Sequence, residues 1–242
     1  MAWIRACRPT GHMVNDNKLT PCFLAFHMLG KGLPRKEQQE FIDWAVEMGE
    51  RHIRSWKDRS AGGNKAAKRI KMVVLAAAVA DRKDWLEWAD EKIQLHLQAS
   101  LRPDGRSLDL EHRDAMHYHL SCLSEMLQGA HAGRLSAIDS FDRTTPEGAS
   151  IRKSIEFMLP YARGEKVHKE WVNSHSSIDQ RRWEAGDPYY RPGKPWDPSE
   201  AYTTLVLASS FDPSYKKLLA TLRPKGLTGP TFFELIASAA AR

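Results

Sequence analysis

Between Asp104 and Leu123 the chain reads DGRSLDLEHRDAMHYHLSCL. A helix from Asp114 onward would set Arg113 and His117 four residues apart on one face, with Tyr118 beside them and His119 turned away. A guanidinium can hold a carboxylate in a two-point fork, while a neighbouring imidazole or phenol can move a proton. These three side chains could therefore remove a proton next to a bound carboxylate. The competing interpretation is structural: Tyr118 and His117 pack in a helix interface, and Arg113 pairs with Glu111 or Asp114. His112, His117 and His119 also raise a zinc site, but helical geometry points His117 and His119 in different directions. The H-E-x-x-H order is absent, so neither a metal nor a cofactor is expected.

Two further stretches have the composition of binding surfaces. From Arg51 to Met72 there are eight Lys or Arg residues and one acid, Asp58. Such a run forms either one wall of a groove for a polyanion or a solvated helix face. Trp56 is its only aromatic and no zinc-finger or RNA-recognition signature occurs, so no nucleic-acid partner is expected. The segment NSHSSIDQRRWEAGDPYYRPGKPWDP contains Arg181, Arg182, Tyr189 and Trp196. Aromatic platforms flanked by charged donors suit a sugar subsite or a lid, although the same aromatics could simply seal the edge of a helical array. No phosphate-binding loop and no G-x-S-x-G elbow is present.

The elements that must position these residues read as helices almost throughout. The 242 residues carry a net charge of +6, and the longest apolar stretch, Met72 to Ala80, is far shorter than a bilayer requires, so no membrane span is expected. Cys7, Cys22 and Cys122 are odd in number and widely spaced, which argues against a disulfide framework; Cys122 reads as a buried thiol. The N-terminus shows no secretion signal. Periodicity predicts helices over 20–29, from Pro34 past Met48, 65–80, 85–97, 114–128, from Ile151 to before Pro160, and over 202–209, 215–222 and 231–240. In the helix over 65–80, Ile70, Val73, Val74, Ala77 and Ala78 share one stripe, with Lys65, Lys68 and Met72 opposite. Trp44, Trp85, Trp88 and Phe157 read as core, and 186–198 as a long loop ordered by its aromatics. Helices of this length joined by turns predict a single all-α domain of successive helical hairpins.

The Arg113 to Tyr118 motif and the apolar CLSEML after it resemble the alginate lyase domain family: the poly(mannuronate) lyases and related uronic-acid polysaccharide lyases. The resemblance continues through TPEGASIRKSIEFMLPYARGEK and FDPSYKKL and covers most of the chain after Asn64. It implies an incomplete (α/α) toroid, one that can lack N-terminal helices, and cleavage of an acidic, alginate-like polysaccharide by β-elimination outside the cytoplasm, in the periplasm or secreted. By resemblance Tyr118 matches the proton-transferring tyrosine, Arg113 the active-site arginine and His117 the histidine that often precedes the tyrosine. The family's upstream Asn-Asn-His signature corresponds to GGNKAAKRIK, where Asn64 stands at a helix start and no histidine follows. Asn64, with free N–H groups at the helix start, and Lys68 or Lys65 would then offset the substrate carboxylate. The alternative that this departure raises is a non-catalytic relative that binds acidic glycan.

Overall fold

The computed structural model describes residues 1–134 and 138–239. Two short helices, α1 (Ala2–Ala6) and α2 (Met13–Asp16), precede α3 (Thr20–Leu29), which has Pro21 in its first turn, where a missing N–H leaves no bond unmade. Then follow α4 (Arg35–Arg54), α5 (Gly63–Ala80), α6 (Lys83–Ser100), α7 (Leu108–Arg113), α8 (Met116–Arg134) and α9 (Ile151–Ala162). The C-terminal part holds α10 (Ser177–Glu184), α11 (Tyr202–Ala208), α12 (Lys216–Leu222) and α13 (Phe232–Ala239). Ala240, the end of the last expected helix, lies outside the described residues. The only sheet among the described residues pairs β1 (Lys169–Glu170) with β2 (Lys194–Pro195), antiparallel, with Glu170 opposite Lys194. This is the all-α array of helical hairpins that the sequence predicts, an incomplete (α/α) toroid.

The array is organised around α5, which packs against α4, α6 and α8. Its residues from Arg69 to Ala77 are all buried. The expectation of one apolar stripe opposite Lys65, Lys68 and Met72 fails at Met72, which is fully buried, because a helix enclosed on several sides has little solvent face left. The α4–α6 approach depends on Gly49: a Cβ there would lie 2.2 Å from Cζ3 of Trp85, too close to be tolerated without displacing the indole. Trp44 and Trp85 are core residues, with Trp88 and Phe157 half-buried against the core.

Helix α9 does not stop before Pro160 but continues to Ala162 with the proline inside it. Its amphipathic face, Ile151, Ile155, Met158 and Ala162, is buried on both sides of the proline, and that packing offsets the lost backbone bond. Between α5 and α8 the core encloses charge. The Lys71 ammonium, 1% exposed, lies 2.7 Å from Oε2 of Glu125 and 2.9 Å from Oε1 of Gln128. Asn17 Nδ2 donates to the other Glu125 oxygen at 3.1 Å. Desolvation pushes the Lys71 pKa down, and the Glu125 charge opposes that shift.

Candidate functional site

The site begins at a break that the sequence did not announce. Arg113 ends α7, Asp114 adopts a left-handed conformation with φ 45°, and α8 starts only at Met116. Arg113 and His117 therefore do not share a helix face, contrary to the expected single helix from Asp114. Aspartate tolerates this conformation because its side chain can hydrogen-bond nearby backbone. Here the Asp114 carboxylate accepts from the Asn173 N–H at 2.8 Å, and its carbonyl accepts from the Trp171 N–H at 2.7 Å. Trp171 is itself left-handed, with φ 66°. Two residues in this sparsely populated region, bonded to each other, fasten the 168–175 segment over the start of α8.

Arg113 still reaches Tyr118, through the bend rather than through helical periodicity. Its guanidinium lies 3.6 Å from the centroid of the Tyr118 ring. The fork is closed by neither Glu111 nor Asp114 but by Asp179 of α10, with Nε to Oδ2 at 2.5 Å and a second contact from Nη2 to Oδ1. Ser174 Oγ donates to the same carboxylate at 2.8 Å. Arg113 thus has its own internal carboxylate, and what it presents to the site is its contact with the Tyr118 ring. Tyr118 packs with Trp171, Tyr189, Tyr190 and Ala115 in a small apolar cluster apart from the main core. Burial raises the Tyr118 pKa, with Arg113 opposing, so near neutral pH the side chain is a phenol able to donate a proton.

His117 stands beside it, the two rings edge to face at 5.1 Å. Its side chain is 40% exposed, and Nδ1 faces Oε2 of Glu200 at 3.3 Å. The Tyr189 hydroxyl donates to the same Glu200 oxygen at 3.4 Å, and the Tyr189 ring meets His117 edge-on at 5.4 Å. One carboxylate oxygen thus bridges an imidazole and a phenol. Glu170 closes the arrangement from below, accepting the backbone N–H of His117 at 3.3 Å near the start of α8.

Burial, reinforced by the nearby Glu200 charge, raises the Glu170 carboxyl from 4.5 to about 8. The folded protein therefore holds a proton there that the unfolded chain releases between those values, so stability is greatest below the unfolded value and falls as pH rises through the folded one. Glu170→Gln imitates the protonated form. It is expected to flatten the decline of Tm between pH 5 and 9. At the alkaline end it should stabilise the protein by a few kcal/mol, because a tenfold change in proton affinity is worth about 1.4 kcal/mol. Thermal unfolding across that range checks this; parallel curves for variant and wild type would contradict it.

The helix-start expectation needs correction. The N-cap of α5 is Gly62 rather than Asn64, and the N–H groups proposed for a substrate anion are already bonded: Gly63 to Ser100 Oγ at 2.9 Å and Asn64 to Asp109 Oδ2 at 2.9 Å. The Asn64 carboxamide has no hydrogen-bond partner among the described residues and remains available. Asp109 precedes Arg113 by one turn of α7 and is influenced by its charge, so Asn64, Asp109, Arg113 and Tyr118 form a connected series. Lys68 is not simply solvated: its ammonium lies 3.7 Å from Oε1 of Glu125, and the side chain is 15% exposed.

The other expected binding residues divide. Tyr189 is at the site. Arg182 is exposed at one side of the aromatic cluster, with its guanidinium on the Tyr190 hydroxyl, and Arg181 is exposed on the same helix with Nε bonded to the Ser177 carbonyl at 3.2 Å. Trp196, expected to bind substrate, is 5% exposed and belongs to the main core, so it cannot serve as a platform. His119 is also internal, with Nδ1 2.9 Å from Ser107 Oγ and Nε2 3.1 Å from the Ser154 carbonyl. Burial lowers its pKa to about 4, which keeps it neutral. Glu200, Glu170, Asp179 and Trp171 belong to no motif of the sequence. They reach the site from loops and short elements more than fifty residues beyond the motif.

No curated protein matches the chain. In structure it is similar to an alginate lyase from Bacteroides ovatus, with a TM-score of 0.67 and 20% sequence identity over 93% of this chain and 57% of that one. This chain therefore spans little more than half the length of that relative, and the likeness establishes the toroidal fold. The alginate lyase family model matches residues 19–168, a range that includes α5, the Arg113 to Tyr118 motif and α9. The chain belongs to the alginate lyase family.

Proposed function

We propose that this protein is a polysaccharide lyase that cleaves a uronic-acid polymer of the alginate type by β-elimination, acting outside the cytoplasm. The observation that carries this reading is the pairing of a phenol held protonated, Tyr118, with a half-exposed imidazole, His117, whose Nδ1 faces a carboxylate. In the reaction, Nε2 of His117 takes the C5 proton of a uronate. The C5–H electrons become the C4–C5 double bond, the C4–O bond breaks, and the Tyr118 hydroxyl gives its proton to the departing oxygen. The C5 proton is only weakly acidic until the neighbouring carboxylate charge is offset. The Asn64 carboxamide, the charge of Arg113 and, one turn into α5, Lys68 are the groups proposed for that task, with Arg181, Arg182 and Tyr189 bordering the glycan.

Glu200 has a positioning role in this scheme. A carboxylate at Nδ1 holds the ring proton there and leaves Nε2 with its lone pair free to act as base. In the wild type, nitrogen NMR of the labelled protein is expected to report His117 as the Nδ1–H tautomer. Glu200→Ala should return it toward the Nε2–H form, with a loss of kcat on the order of 10²-fold, while Glu200→Gln, whose carbonyl can still accept, keeps the tautomer. An unchanged tautomer in a folded Glu200→Ala protein would make the carboxylate a mere neighbour.

Incubation with polymannuronate, polyguluronate and glucuronan, followed through the far-ultraviolet absorbance of the unsaturated product, tests the activity. One observation favours a second reading, a non-catalytic binder of acidic glycan: the Arg113 fork is closed by Asp179. Binding of these polymers without any unsaturated product would select it.

A further inference from the structure

The basic stretch from Arg51 to Met72 divides between two sides of α5. Asn64 and Lys68 lie on the side of Asp109 and Glu125, whereas Lys65 and Arg69, also one turn apart, face a separate cavity of about 370 Å³ at the α4–α5 connection. Trp56 and Lys57 line the same cavity.

Its electrostatics are unbalanced. Arg69 is 7% exposed, and among the described residues its side chain hydrogen-bonds only to the His52 carbonyl, at 3.2 Å, with no carboxylate within ion-pair distance of it. Asp16, whose charge acts on Arg69, directs its oxygens to Thr10, Gly11 and His52. Desolvation lowers the Arg69 pKa, and the Asp16 charge, beyond ion-pair distance, opposes that shift. Asp58, the one acid of the stretch, is engaged by Lys92 at 3.1 Å and by the Trp56 indole N–H at 2.6 Å. That bond also fixes the indole, which leans edge-on against Trp88. Lys57 and Lys65 are exposed and form no ion pair among the described residues. A buried charged donor is costly unless it is paired, and a cavity of this size with a fixed aromatic wall is suited to a ring-shaped ligand.

We propose that the pocket formed by Trp56, Lys57, Lys65 and Arg69 is a holding subsite for a uronate residue of the glycan, with Arg69 and the two lysines receiving its carboxylate and Trp56 forming a wall beside the pyranose ring. The proposal rests on the polyuronate reading above and extends it to a second point of attachment on a different side of α5 from Asn64. A planar guanidinium suits the two oxygens of a carboxylate, and an indole suits an apolar sugar face.

The test measures binding of oligouronates to a Tyr118→Phe protein by calorimetry, with neutral oligosaccharides and inorganic phosphate as controls. Wild-type turnover of polyuronate is assayed separately. Lys57→Ala/Lys65→Ala, at two exposed positions, is expected to weaken oligouronate binding about tenfold, and Arg69→Gln at least as much, provided its melting temperature shows that it is folded. Undiminished binding by the double variant overturns the pocket and leaves the lyase reading standing if the wild type still cleaves. Phosphate displacing the oligouronate with equal affinity overturns the sugar assignment in favour of a general anion site. Absence of both binding and cleavage by the wild type overturns both readings.

Discussion

Tyr118→Phe is expected to abolish measurable turnover of polyuronate while leaving glycan affinity within a few-fold of wild type. The substitution removes one oxygen. It keeps the ring that lies under the Arg113 guanidinium and packs against Trp171, so the local structure has no reason to rearrange. What is lost is the proton donor for the departing oxygen. Positioned proton transfer contributes about 10²–10⁴-fold to such reactions, or roughly 3–5 kcal/mol of barrier. Burial keeps this phenol protonated, and the Tyr189 hydroxyl, which already donates to Glu200, is not free to replace it. Near wild-type kcat in a folded Tyr118→Phe protein would move the proton donor elsewhere.

Glu125→Leu is expected to be among the most destabilising single changes in the core. It removes the carboxylate 2.7 Å from a Lys71 ammonium that has almost no contact with solvent, and breaking a buried pair by removing one partner costs about 3–5 kcal/mol. Lys68 and Asn17 lose the same partner. Adding Lys71→Met should recover much of the loss, because an apolar pair leaves no charge to solvate. With Glu125 gone, the folded-state pKa of Lys71 is depressed without opposition, so the unfolded chain binds the extra proton. The single variant should then gain stability relative to wild type as pH rises toward the ordinary lysine value. Urea unfolding of the two singles and the double checks both points. A single variant within about 1 kcal/mol of wild type would show that water reaches Lys71.

How much of this was legible depends on the distance over which each element is specified. Most helices follow local periodicity, so their order and most of their boundaries are legible directly, whereas the short α1, α2, α7 and α10 have no counterpart among the expected helices. Met72 departs from the expected stripe because amphipathic reasoning assumes one solvent face, and α5 has neighbours on several sides. Pro160 does not end its helix, as local propensity predicts, because the packing of Ile155, Met158 and Ala162 is not local. The motif correctly located Tyr118, His117 and Arg113 in one place, but for a partly wrong reason: a left-handed Asp114, held by Trp171 and Asn173, replaces the continuous helix. Glu200, Glu170 and Asp179 had no sequence signal, since each gains its role from a contact across a loop whose path no local pattern fixes. Conversely, Trp196 had the composition of a sugar platform, yet loop closure put it in the core.

Whether the chain eliminates or hydrolyses is decided by mass spectrometry of the products that the wild-type protein releases from a defined oligouronate. Elimination places a C4–C5 double bond on the new non-reducing end, so the two fragments together weigh as much as the substrate. Hydrolysis adds one water. With Tyr118 as the proton donor, the wild type is expected to give unsaturated fragments and Tyr118→Phe to leave the substrate intact. Saturated fragments carrying the mass of an added water, or equal amounts of unsaturated product from both proteins, would contradict that chemistry.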